Sequence, residues 1–145
     1  MVSKALLFSL LVAAPHVAGA AAAQTVSTDA RACFEAARDG DTSDAALSVC
    51  GRAIVQKAVG ATGKRNRAAA YGNRGRIYYL RQEHVAAATD FSEALKLLKS
   101  KENYYNRGLA YEALGAFDLA KRDFTDAVEI DDTWETAKAA LARVS

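Results

Sequence analysis

The chain has 145 residues, 51% of them hydrophobic and 25% charged, with a formal net charge of +2. That balance suits one folded domain and not a disordered chain, and the small net charge gives no strong reason to expect nucleic acid, an anionic membrane or an acidic polymer as partner. A single proline, Pro15, together with abundant Ala, Leu, Glu, Lys and Arg, points to an all-helical chain.

The first element is a leader over residues 1–23. MVSK is short and basic, ALLFSLLVAA is an apolar run of ten residues, and PHVAGAAAA is a small-residue tail behind a proline, the three parts of a secretory signal peptide. The apolar run is too short to span a bilayer comfortably. Cleavage after Ala20 or Ala23 is expected, with Ala23 favoured; the alternative is an uncleaved amphipathic or membrane helix. Export is therefore expected, with no membrane insertion after cleavage. The alanine-rich tail and the lack of an Asn-x-Ser/Thr acceptor favour a bacterial periplasm.

Residues 24–60 contain ACFEAARDGDTSDAALSVCGRAI, read as a helix pair broken at Gly40 and Asp41, with Ser43 or Asp44 as N-cap. Residues 61–67 carry the basic GKRNR, expected to be a solvated linker between helix pairs. A phosphate loop at AVGATGKR is excluded because Ala58 replaces the first glycine and Arg65 the hydroxyl residue that would bind magnesium.

Residues 68–100 and 101–132 repeat one pattern in register. Gly75, Tyr78, Ala87, Phe91 and Ala94 recur as Gly108, Tyr111, Ala120, Phe124 and Ala127, each 33 positions later. Two helices per copy explain the spacing. Gly and Tyr share a face of the first, and Ala, Phe and Ala form the facing stripe of the second. Small residues at Gly75/Ala87 and Gly108/Ala120 let the helices approach, with the aromatic residues beside the contact. Residues 133–145 place Trp134, Ala137, Leu141 and Val144 on one face of a terminal helix, with Asp132 and Glu135 spaced as a capping box.

These residues resemble the tetratricopeptide repeat. The resemblance implies a right-handed superhelical array of antiparallel helix pairs, about three units plus a C-terminal capping helix, working as a protein-interaction scaffold. The repeat's closing proline is absent, Lys99 and Asp132 taking its place, so less sharply set helix ends are expected. Upstream, Ala46, Cys50 and Ala53 form a degenerate copy of the second-helix stripe. In that frame Cys33 and Cys50 face one another across a helix pair, and in an exported protein they are expected to form a disulfide; the alternative is two small buried thiols.

Asn73 and Asn106, also 33 apart and each followed by Arg-Gly, do not serve the core. In tetratricopeptide proteins the first-helix surface lines a concave groove, and these asparagines are similar to ladders that hydrogen-bond an extended peptide backbone; the alternative is that they bridge neighbouring helices or face water. Arg76, Tyr79 and Tyr105 would flank them, as a cation and flat apolar surface. Gly72 and Glu102 stand where the lysines of the family's carboxylate clamp would be, which disfavours recognition of a free C-terminus. The partner is expected to be a protein or peptide and not nucleic acid. His84 is the sole histidine outside the leader, no cluster has metal-ligand spacing, and no nucleophile motif occurs, so no catalytic residue, cofactor or metal is expected. The rival expectation is a structural subunit that associates through its convex face or helix ends.

Overall fold

The computed structural model describes residues 18–56 and 60–145. Among them are seven helices and no strand: α1 (Ala18–Asp39), α2 (Asp44–Val55), α3 (Gly60–Leu80), α4 (His84–Leu97), α5 (Lys101–Ala113), α6 (Phe117–Ile130) and α7 (Glu135–Arg143). Of the expected leader, residues 1–17 lie outside the described residues, and Ala18 to Ala23 belong to α1. α1 pairs with α2, α3 with α4 and α5 with α6. Each pair packs on the next, and α7 closes the end against α6.

The repeated glycines explain how closely the helices of a pair approach. A Cβ on Gly75 would sit 3.0 Å from the Phe91 ring, and one on Gly108 only 2.6 Å from the Phe124 ring. The aromatic ring therefore fills the missing side chain's place directly, while Ala87, Ala94, Ala120 and Ala127 are fully buried around it. The turn of each pair needs a left-handed residue, supplied by Gly40, by Gln82 (φ 63°) and by Gly115 (φ 73°). Gln82 pays a steric cost that glycine avoids one repeat later.

A second repeated device was missed in the sequence. The guanidinium of Arg74 donates to both carboxylate oxygens of Asp90 at 2.7 and 2.9 Å, and Arg107 does the same to Asp123 at 2.7 and 2.7 Å. Asp90 and Asp123 are 4% and 3% exposed. Arg74 lies 5.7 and 5.8 Å from the ring centres of Tyr71 and Tyr78, and Arg107 lies 5.8 and 5.7 Å from those of Tyr104 and Tyr111. The α3–α4 and α5–α6 pairs thus each carry a buried carboxylate paired with an arginine that lies between two tyrosines. Hydrogen bonding to the aspartates raises both arginines above their ordinary values.

In the first pair Cys33 and Cys50 are joined by a disulfide, both fully buried. Ser43 caps α2, its hydroxyl accepting from the Ala46 amide at 3.1 Å.

Three local expectations need correction. Residues 61–67 are not a linker but the opening turns of α3, because Gly63 and Ala68 are buried while Lys64, Arg65 and Arg67, good helix formers, face solvent. The α4–α5 junction is sharp without a proline, since the Ser100 hydroxyl caps α5 by accepting from the Asn103 amide at 3.2 Å. The capping box at Asp132 and Glu135 does not form. Trp134 is the N-cap of α7 without a side-chain bond, and Asp131 instead accepts from the Thr133 amide and hydroxyl at 3.0 and 2.6 Å.

Candidate functional site

The first helices α1, α3 and α5 lie side by side and form one wall. Phe34, Ala37 and Arg38 of α1, Gly72, Asn73 and Arg76 of α3, and Glu102, Asn103 and Asn106 of α5 line a hollow of about 400 Å³. A second hollow of about 200 Å³ adjoins it, sharing Arg76 and Asn106 and adding Tyr79, Phe91, Tyr105 and Leu109. All five residues expected at the site, Asn73, Arg76, Tyr79, Tyr105 and Asn106, therefore line these two hollows.

Their environments differ from one another. Asn73 and Asn106 are half-buried, and neither carboxamide has a hydrogen-bond partner among the described residues. Arg76 is exposed, yet its Nε donates to the Ala37 carbonyl at 3.1 Å, which fixes the guanidinium across the α1–α3 seam. The tyrosines are less open than expected. Tyr79 packs beside Phe91 with its ring 5.2 Å from that of His84, and Tyr105 lies 4.8 Å from Trp134 and 5.7 Å from Phe124. Both are packing residues that also border the hollow.

Two groove residues escaped the sequence. The Asn103 carboxamide lies over Gly72, where a Cβ would come within 2.7 Å of its oxygen, so Gly72 makes the room that Asn103 occupies. Ala70 holds the equivalent position one copy earlier, so no 33-residue signal marked Asn103. Phe34, 53% exposed, offers an apolar surface at the α1 edge with the Arg38 guanidinium 5.9 Å from its ring centre. Its place beside Cys33, off the buried stripe of Cys33 and Ala37, was the available clue.

The charges in the groove are unevenly committed. Arg38 is held by Asp39 at 2.7 and 3.1 Å, a hydrogen bond that raises the arginine and lowers the carboxyl. Lys101 is bound to Asp131. Arg76 and Glu102 have no ion-pair partner among the described residues. The buried acids Asp90 and Asp123 are occupied by arginine, and no group of three His, Cys, Asp or Glu among the described residues could hold a metal ion.

The sequence profile of the tetratricopeptide repeat matches residues 102–133, the α5–α6 pair with the following turn. The chain carries a tetratricopeptide repeat. No curated protein matches the sequence. Among solved structures, the second tetratricopeptide domain of human RPAP3, determined by NMR in complex with the HSP70 peptide SGPTIEEVD, is similar at 22% identity with a TM-score of 0.65. That match covers 85% of this chain and 97% of the other. The first tetratricopeptide domain of Spaghetti (RPAP3), bound to the HSP90 peptide SRMEEVD, is similar at 21% identity with a TM-score of 0.66, covering 83% and 90%. The tetratricopeptide fold thus extends over the helical array, and the groove lies on its first-helix wall.

Proposed function

We propose that this chain is a non-catalytic interaction module that holds an extended peptide segment of a partner protein against α1, α3 and α5. One observation carries the reading: Asn73 and Asn106, a repeat apart, present unpartnered carboxamides to the same groove. A carboxamide offers a donor and an acceptor, matching the C=O and N–H of a peptide unit, and leaving either unmet is costly once water is displaced. The two similar solved structures are tetratricopeptide domains with bound peptides, which supports the reading. Gly72 and Glu102 at the expected lysine positions argue against a terminal carboxylate as the recognised feature. The working site we propose is the periplasm, on the leader pattern of residues 1–23; fractionation of the native host with and without those residues tests it.

A second reading, association through the opposite face, is favoured by Val85 and Leu114. Both are exposed and border a hollow on the side of the second helices. Affinity capture from host envelope extract, with wild type beside a folded Asn73→Ala/Asn106→Ala variant, separates the two. Loss of a retained protein in the variant supports the groove; equal retention favours the opposite face.

A further inference from the structure

Resting on that reading, we infer that the groove selects an internal peptide segment of mixed charge, with an acidic side chain beside Arg76 and a basic one beside Glu102. These are opposite charges on different helices, α3 and α5, lining one hollow. Neither forms an ion pair with the other or with any other described side chain; Lys101, next to Glu102 in the chain, feels its charge but is bonded to Asp131. Their neighbours are already committed: Arg38 to Asp39, and Lys101 to Asp131.

Selectivity follows from desolvation. A peptide lying across α3 and α5 displaces water from both charges, and a charge left uncompensated weakens binding. An all-acidic segment satisfies Arg76 and is repelled by Glu102; an all-basic one meets the reverse problem. Only a segment carrying both signs, separated along its length, answers the two together. Arg76 is well placed to discriminate because its Nε bond to the Ala37 carbonyl holds the guanidinium in one orientation. The unpartnered amides of Asn73, Asn103 and Asn106, which line the same hollow, accept any residue, since they meet the backbone.

The test is a synthetic array of N-acetylated, C-amidated peptides carrying Glu and Lys singly, together at varied separation, or as like-charged pairs on a neutral background. It is probed with wild type, Glu102→Lys, Arg76→Gln and Asn73→Ala/Asn106→Ala, each checked for helicity. Wild type is expected to hold mixed-charge peptides about tenfold more tightly than all-acidic ones, and Glu102→Lys to reverse that order. Arg76→Gln is expected to abolish the preference for an acidic residue. Peptide binding that needs the asparagines but ignores charge order overturns this inference and leaves the groove reading standing. Binding that survives in the asparagine variant overturns the groove reading itself, and failure of wild type to hold any peptide overturns both.

Discussion

Arg107 and Asp123 differ in how much each loses when the other is removed. Asp123 is almost wholly buried, whereas the Arg107 side chain keeps 19% of its surface exposed and also donates to the Ser92 hydroxyl at 2.9 Å. Arg107→Met strands a carboxylate that burial already pushes up, so a loss of about 3–5 kcal/mol is expected. Asp123→Asn leaves an arginine that still has Ser92, two tyrosine rings and some water, and about 1–3 kcal/mol is expected. Urea unfolding of the two variants gives the order; equal losses would remove the asymmetry. This pair was legible in the 33-residue register, since Tyr71, Arg74 and Asp90 return as Tyr104, Arg107 and Asp123. It was passed over because a polar residue is normally assigned to the surface, and no pattern of apolar positions marks a buried charge.

Among the elements, the α1–α2 pair is fastened differently from its neighbours. Cys33 stands 41 residues before Arg74, and Cys50 stands 41 before Phe91, so the disulfide takes the places of one ion-pair member and one packing ring. Without Gly–Phe packing or a buried Arg–Asp pair, this pair depends on its crosslink. Reduction, or Cys33→Ser with Cys50→Ser, is expected to cost about 3 kcal/mol on the chain-entropy account of a loop this size. The loss should be local, with α1 and α2 amides exchanging first while α5 and α6 stay protected. Even loss of protection along the chain would show instead that the array unfolds as one unit. The helix pairs themselves were readable because glycine, aromatic and alanine positions are dictated by packing. The opening of α3 was not, because Gly60, Gly63 and five polar residues look like a linker until burial of Gly63 and Ala68 is seen.

In the whole molecule, an array that stacks pairs must cover its last apolar surface, and α7 does so with buried Ala137 and Ala140 and with Leu141 and Val144 against the Phe124 cluster. Two ionic contacts add to this apolar packing. Arg143 reaches back to Glu112, whose oxygen accepts from Nη2 at 2.7 Å, and Asp131, at the turn before α7, binds Lys101 and Thr133. Hydrogen bonding to Lys101, then to Thr133, lowers the Asp131 carboxyl to about 2, and the bond from Arg143 lowers Glu112. Both are carboxylates depressed by folding, so their stabilisation is fully present above about pH 4.5 and is lost as pH falls, that of Asp131 towards about 2. Asp123 has the opposite sign: burial raises it, so acid favours the folded chain at that group. Acid should therefore loosen the C-terminal end before the interior. The single tryptophan, Trp134, sits at that end between Tyr105 and Lys101 and reports it directly. On acidification from pH 5, its emission is expected to shift to the red at a higher pH than helicity is lost by circular dichroism. Asp131→Asn, which cannot ionise, should show part of that shift at neutral pH and a flatter dependence below it. Coincident fluorescence and helicity transitions in the wild type would mean that these two ionic links do not govern the acid response, and that the capping helix is held by its apolar face alone.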